Sequence, residues 1–517
     1  LGSMISAIVI GYLTSGLSAG FSLKIRDKLF KKVQNMGITE IKKFKTSSLI
    51  TRTTNDVTQI EMLIAIGLQA MIKAPIMAVW ALSKIINKSA DLSMLVGFGV
   101  IILLITIITI MILVSPKFSK VQKLTDKINN LSRENLIGIR VIRAFNAENF
   151  QENRFEEANE DLTRTQKFIQ RTFALMMPVM NLVMHFLTLG IYFVGALLIV
   201  NLKMIGKINL FSDMVVFSSY GIQVIMSFLM LTMIFMVLPR ARVSANRINE
   251  VLDSKLSVID GTASKKNEIG TVEFKNVYFK YPDADEYVLE NISFKVEKGQ
   301  TVAFIGSTGS GKSTVVNLIP RLYDASKGEV LVDGVNVKDY KLSFLHSIIG
   351  YISQKAFMFT GSIKENVGFG DKEISSDKID KALDIAQALE FVSKLDGKTD
   401  YHIARGGTNI SGGQRQRLSI ARAIAREPEI YIFDDSFSAL DYQTDYVLRK
   451  ELKENSNGAT FLIVAQRIGT IINADKIMVL DKGKCVGFGT HKELLKSCEV
   501  YREIALSQLS KEELENA

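Results

Sequence analysis

Cysteine is scarce in this sequence: Cys485 and Cys498 are the only two in 517 residues. Their spacing matches no metal-binding pattern, so a disulfide framework and a zinc site are both excluded, and a reducing compartment suits the chain. A basic stretch followed by a small-residue cleavage site is also missing, so the opening apolar run, Leu1 to Phe21, does not read as a signal peptide. From Leu92 to Val114 there is no charge at all. Buried helices of soluble proteins are rarely so long and so uniformly apolar. A nucleic-acid partner is excluded by where the charge sits. The net charge is +10, but the basic residues gather just after apolar runs, as in Lys24, Arg26, Lys28, Lys31 and Lys32, then Lys42, Lys43 and Lys45. Loops on the cytoplasmic side of a membrane are built that way.

What is present divides the chain in two. Hydrophobic residues make up 47% and charged residues 22%, and the two kinds are segregated. Five stretches, 1–21, 62–86, 92–114, 173–200 and 211–238, are apolar and long enough to cross a bilayer, which takes roughly 20 residues. The connections Asn87–Asp91 and Asn201–Lys207 are short, whereas 22–61 and 115–172 are long, charged and helix-patterned. The long ones are expected in the cytoplasm, as extensions of the membrane helices. Five spans put the termini on opposite sides, so a sixth span, lost from the front, is expected. Within the spans, Lys73, Lys84 and His185 stand out because ionisable groups are costly in lipid. Lys84, near a helix end, is expected to reach the headgroups. His185, beside Asn181, fits a substrate cavity or packing against a neighbouring helix. The Met-rich run Met226–Met236 fits ordinary packing better than an adaptable binding surface.

The second half turns to β-type alternation at Thr271-Val-Glu-Phe. Thr301-Val-Ala-Phe-Ile reads as a buried strand, and it leads into Gly306, Ser307, Thr308, Gly309, Ser310, Gly311, Lys312 and Ser313. This is the GxxxxGKS phosphate-binding loop, with a helix predicted over Thr314–Arg321. Its glycines let backbone N–H groups wrap phosphates, and the helix start adds positive potential. Lys312 is expected at the β- and γ-phosphates, and Ser313 at Mg²⁺. A second strand, Ile430-Tyr-Ile-Phe-Asp434, is apolar up to its carboxylate, which puts Asp434 where a metal-bound nucleotide would sit. Between them, Ser411 is a predicted N-cap and Gly412, Gly413 and Gln414 open a helix whose start faces an anion.

Together these segments resemble the ATP-binding-cassette family, and membrane helices ahead of the cassette resemble its exporter-type half-transporters. The resemblance implies an all-α membrane domain, six-helix in type with its first helix missing, over residues 1–252. A linker over 253–270 and an α/β phosphate-loop nucleotide-binding domain over 271–517 follow. It implies two cassettes head to tail, with each ATP between one subunit's phosphate loop and the other's Ser411–Gln414 segment. It also implies that Tyr281 stacks on adenine, that Thr314 lies beside the phosphates, and that Gln354 is the glutamine that meets metal and water. Ser438–Asp441 would contact the opposite cassette. Ser47–Asp56 and Gly138–Phe145 resemble the two intracellular coupling segments.

Three positions depart from the family pattern. Asp435 stands where a glutamate normally polarises the attacking water, and misplacement by an ångström can cost about 10²-fold in rate. Gln466 stands where a histidine is usual, and an amide cannot carry the imidazolium charge. Arg405 replaces a usual glutamate ahead of the Ser411 segment. With Asp435 and Gln466 both altered but Ser411–Gln414 intact, the pattern resembles the weak-site subunit of bacterial heterodimeric multidrug exporters. The expected protein is a multi-pass subunit of the cytoplasmic membrane with its ATP-binding domain in the cytoplasm. Its expected partners are ATP, Mg²⁺, a second half-transporter, the bilayer and an amphipathic cargo (drug-like, lipid or peptide). A homodimer with a working Asp435, an ATP-gated regulator that does not pump, and an importer are the alternatives.

Overall fold

The structure is a computed structural model that describes residues 2–86, 88–200, 203–371 and 373–509. It divides into two compact units, Leu1–Lys32 with Ser47–Asp253, and Val33–Thr46 with Ser254–Ala517.

The first unit is helical. Its helices are α1 (Gly2–Gln34), α3 (Thr46–Thr51), α4 (Val57–Ile85), α5 (Ala90–Ile137), α6 (Ile139–Ala144), α7 (Glu148–Ala174), α8 (Met176–Val200) and α9 (Met204–Leu252), while α2 (Ile38–Phe44) groups with the second unit. Among the described residues, five helical runs are long and apolar enough to cross a membrane. The charged segments between the apolar runs are helical, as their patterning predicts. The short connections at Asn87–Asp91 and Asn201–Lys207 include Asn87, Asn201 and Leu202, which lie outside the described residues, as do the side chains of Phe235 and Met236 in the Met-rich run. On α5 the buried positions Leu92, Val96, Gly99, Leu103, Ile107, Ile110 and Val114 recur every three or four residues and face α8 and α9. The residues between them, such as Phe98, Ile105 and Ile112, are exposed. A helix apolar all round, packed on one side only, belongs in lipid. Lys84 sits one residue from the end of α4 with its ammonium 4.5 Å from the centre of the Trp80 ring. Lys73 and His185 are exposed on the outside of this single chain.

The segment Arg52–Asp56 forms a π-helical turn between α3 and α4. It is pinned to α9 by polar contacts: Arg52 pairs with Glu250 at 2.9 Å, and Ser244 Oγ donates to Asp56 at 2.9 Å. The stretch resembling the first coupling segment thus lies at the base of α4, while the preceding helix, α2, joins the second unit.

The second unit is α/β. Strands β1 (Val272–Phe279), β2 (Leu289–Val296), β4 (Lys327–Val332) and β5 (Val335–Asn336) form an antiparallel sheet in the order β2-β1-β4-β5. Strands β3 (Thr301–Gly306), β6 (Ile349–Ile352), β9 (Ile430–Asp434), β10 (Thr460–Val464), β11 (Lys476–Asp481) and β12 (Lys484–Gly489) form a second sheet ordered β12-β11-β3-β10-β9-β6. It is parallel except for β12. The two-residue strands β7 (Gly361–Ser362) and β8 (His402–Ile403) pair separately. Alternation along the parallel strands fills two cores. Ala303, Ile305, Phe433 and Ile463 face one side, under helices that include α13 (Ser376–Ile385), α15 (Gly412–Ile424) and α16 (Tyr442–Asn455). Val302, Phe304, Ile432 and Leu462 face the other, where Val272, Phe274 and Val277 of the antiparallel sheet pack. The remaining helices are α10 (Lys312–Leu318), α11 (Leu342–Ile348), α12 (Ile363–Val367), α14 (Leu389–Ser393), α17 (Ile468–Ile471), α18 (His491–Ser497) and α19 (Glu499–Leu506). Helix α10 ends at Leu318, before the predicted Arg321: Ile319 keeps helical backbone angles, but Pro320 has no N–H with which to continue the hydrogen-bond ladder.

Helix α2 is fastened to this unit. Glu40 accepts hydrogen bonds from the amide of Gly37 at 2.8 Å and from that of Ser257 at 3.1 Å. Ile38 packs on the core beneath the antiparallel sheet, and the Lys42 ammonium stands 5.4 Å from the centre of the Tyr281 ring.

Candidate nucleotide site

Four parallel strands, β3, β10, β9 and β6, lie side by side, and each ends at a residue or loop picked out by the sequence. In such sheets ligands bind outside the carboxyl ends of the strands. The register sets Val464 opposite both Phe304 and Asp434, and Ile352 opposite Phe433. The phosphate loop, Asp434 with Asp435, Gln466 and Gln354 therefore reach the same rim. Asp435, Gln466 and Gln354 line one cleft of about 360 Å³ with Tyr281, Thr308, Lys312, Ser313 and Thr314, and Asp434 lies behind Ser313.

The loop geometry requires its glycines. A Cβ on Gly306 would strike the Leu480 carbonyl, and Gly311, at φ +97°, precedes the first residue of α10. The loop leaves β3 and turns at once into α10, so its N–H groups and the helix start converge. Lys312 is buried, and its ammonium donates to the carbonyls of Gly306 and Ser307, both at 2.8 Å. Burial pushes its pKa below the ordinary lysine value, opposed by the carboxylates of Asp435 and Asp434. Ser313 Oγ donates to Asp434 Oδ1 at 2.6 Å, and the Tyr351 hydroxyl donates to Asp434 Oδ2 at 3.3 Å. Burial raises the pKa of Asp434, and these two hydrogen bonds pull it back. The Tyr281 hydroxyl shares a hydrogen bond with Thr314 Oγ1 at 3.1 Å.

Asp435 is buried and lies in the left-handed region at φ +50°, with its amide donating to the Val464 carbonyl at 3.1 Å. One of its carboxylate oxygens, Oδ2, accepts two amide hydrogen bonds, from Gln354 Nε2 at 3.0 Å and from Gln466 Nε2 at 2.7 Å. Two of the three departures from the family pattern, Asp435 and Gln466, thus touch each other.

Ser411 and Gln414 form a reciprocal cap at the start of α15. The Gln414 amide donates to Ser411 Oγ at 3.2 Å, and the Ser411 amide donates to Gln414 Oε1 at 2.9 Å. Ser411 and Gly412 are exposed, and no residue of Ser411–Gln414 lines the cleft around Lys312. Asp441 caps α16 through Thr444, and Arg405 is exposed in a short helical turn. Two residues at the rim escape sequence reasoning. Tyr351 on β6 is marked only by its place three residues before Gln354. Gln508 lies beyond the last motif, and nothing in the sequence marks it.

Among the described residues no group of three or more His, Cys, Asp or Glu side chains could hold a metal ion. The touching oxygens of Ser313 and Asp434 nevertheless suit a hard divalent cation such as Mg²⁺, which takes one or two protein oxygens and completes its shell with phosphate and water.

Comparison with known proteins agrees with this architecture. The family described as ABC transporter transmembrane region matches residues 1–238, and that described as ABC transporter matches residues 289–438. An uncharacterised ABC transporter ATP-binding protein of Mycobacterium tuberculosis (strain ATCC 25618 / H37Rv) is 39% identical over 98% of this chain and 87% of its own length. An ATP-dependent lipid A-core flippase of Aromatoleum aromaticum (strain DSM 19018 / LMG 30748 / EbN1) is 30% identical over 97% of this chain and 82% of its own. A solved bacterial Atm1-family ABC exporter with ATP bound superposes with a TM-score of 0.83 at 24% identity, covering 96% of this chain and 86% of that one.

Proposed function

Because the chain belongs to the ABC transporter family, with a multi-pass membrane region and a cytoplasmic ATP-binding domain, we propose that it is the slow-site subunit of a heterodimeric exporter. Its cargo would be amphipathic small molecules (drug-like, lipid or peptide). The observation that carries this is the carboxylate of Asp435, one methylene shorter than glutamate and bound on one oxygen by both Gln354 and Gln466. A general base must reach the proton it removes. Asp435 is set back and one of its two oxygens is already engaged, and Gln466 has no proton to relay at neutral pH.

ATP would lie with adenine on Tyr281 and its phosphates in the loop Gly306–Thr314. Lys312 would bind the β- and γ-phosphates. Ser313, Asp434 and Gln354 would hold Mg²⁺, which supplies charge neutralisation there when bound. Buried Lys312 and its neighbours orient the nucleotide in a partly water-excluded cleft but move its terminal phosphate slowly. Ser411–Gln414, of which Ser411 and Gly412 are exposed and none lines its own chain's cleft, would complete the partner's site, where faster hydrolysis resets the transporter. ATP does work here through its higher affinity for the closed pair of cassettes than for the open one. The relative named as a lipid A-core flippase favours a lipid-like or amphipathic cargo.

The decisive experiment compares ATP turnover by the full chain alone and by the chain with the half-transporter that co-purifies with it. An almost inactive chain and an active pair are expected. A chain that turns over ATP unaided at about 1–10 s⁻¹ overturns the slow-site reading and leaves a homodimer.

A further inference from the structure

Helix α17 follows β10 and the short loop that carries Gln466, and it starts without a side-chain cap of its own. Arg467 occupies the N-cap position and makes no side-chain hydrogen bond to the first turn. The first N–H groups of a helix need partners from elsewhere. Here one arrives from the far end of the chain. Gln508 Oε1 accepts from the Ile468 amide at 2.8 Å, and Nε2 of the same side chain donates to the Gln466 carbonyl at 2.8 Å.

One amide group therefore clips the backbone on both sides of Arg467. Its own footing is firm. Gln508 follows α19, whose Tyr501 and Ala505 are fully buried, and the Tyr501 hydroxyl is hydrogen-bonded to His491 Nδ1 at 2.7 Å. The amide of Gln508 donates to the Ala505 carbonyl at 3.1 Å, which continues the helix turn. From this anchor the contacts run without a gap: Gln508 to the Gln466 backbone, and the Gln466 side chain to Asp435 at 2.7 Å. Rotation of the Gln466 peptide would swing its side chain off Asp435. Among the described residues no other side chain is hydrogen-bonded to the Gln466 carbonyl or the Ile468 amide.

We propose that Gln508 is a positioning residue for Gln466, and that the C-terminal helix thereby sets how the site holds the terminal phosphate of ATP. The proposal rests on the assignment of Gln466 to the γ-phosphate. It predicts an effect that depends on that phosphate, which general loosening of the fold would not produce.

The test uses the full chain in lipid nanodiscs and two fluorescent nucleotides, mant-AMPPNP, which keeps a third phosphate and is not hydrolysed, and mant-ADP. Gln508→Ala should weaken mant-AMPPNP about 2–10-fold, the range expected for loss of a net hydrogen bond, and leave mant-ADP unchanged. Gln508→Glu keeps the acceptor for Ile468 but loses the donor to Gln466, so it should weaken mant-AMPPNP alike while Ile468 stays protected from amide exchange. Equal weakening of both nucleotides, or of neither, overturns the proposal. Hydrogen exchange at Ile468 in Gln508→Ala then identifies the failure. Unchanged exchange means that the clip does not hold the loop. Faster exchange with unaltered nucleotide binding means that Gln466 does not meet the γ-phosphate, a failure of that assignment and not of the slow-site reading, which ATP turnover tests separately.

Discussion

Replacing Asp435 by glutamate should turn a nearly silent site into a working one. The added methylene extends the carboxylate by about 1.5 Å, toward the cleft that holds Lys312 and Ser313. Misplacement of a catalytic group by 1 Å is worth about 10²-fold, and a general base contributes about 10²–10⁴-fold. Against that gain stand the two amide hydrogen bonds at 3.0 and 2.7 Å, which would hold the longer side chain back. Hydrogen bonds to charged groups are worth about 1.5–3 kcal/mol each. The net expectation for Asp435→Glu is about a 10²-fold rise, or about 2.7 kcal/mol off the barrier. Asp435→Glu with Gln466→His removes one of those amides and should exceed the single variant by about tenfold. The assay is phosphate release from γ-labelled ATP by the chain alone and with its co-purified partner, with Asp435→Asn as the inactive control. The reasoning is refuted if Asp435→Glu changes turnover less than about threefold while Asp435→Asn abolishes it, since aspartate would then already serve as the base.

Ser411→Ala should cost α15 about 1 kcal/mol through loss of its cap. It should also slow hydrolysis by the assembled pair by about 10²-fold, as loss of a donor to transition-state charge does, and leave nucleotide affinity of this chain's own loop unaltered. Equal turnover of the variant pair would count against head-to-tail completion of the partner's site. A pH effect follows from Asp333, fully buried between β4 and β5, whose carboxyl burial pushes up to about 6 despite a hydrogen bond from the Thr271 amide. Because the folded value lies above the ordinary 3.8, its stabilising contribution is full below about pH 4 and lost as pH rises through about 6. Asp333→Asn should therefore flatten the fall in stability over that window and gain about 1–2 kcal/mol at pH 7.5 after solvent screening is allowed for. Parallel thermal-unfolding curves for variant and parent across pH 4–7 would refute this.

The membrane helices and the phosphate loop were readable because each is encoded locally. An uncharged run such as Leu92–Val114 has one physical solution in a bilayer, and the glycines of Gly306–Gly311 sit where any side chain would collide or strain. The meeting of Gln354, Asp435 and Gln466 was not readable from spacing, since it depends on the order β3-β10-β9-β6. Only the family resemblance linked them, and it gave no sign that two amides converge on one oxygen. The hold of Gln508 on α17 spans 40 residues and uses an ordinary exposed glutamine, so no pattern announces it. The end of α10 is misplaced at Arg321 when the apolar run Leu318-Ile319 is followed past Pro320, which lacks the N–H the next turn needs.

Glu40 and Ile38 belong to the ATP-binding unit although the chain returns afterwards to the membrane unit. The cassette is therefore encoded in two intervals, and the polypeptide passes between the units three times, after Lys32, after Thr46 and after Asp253. Three covalent crossings make a harness where a single linker would make a leash. A nucleotide-driven shift of the cassette would pull on the ends of α1 and α3 as well as on α9. A deletion at Val33–Thr46, which in sequence looks like damage to a membrane loop, would remove part of the cassette's own wall.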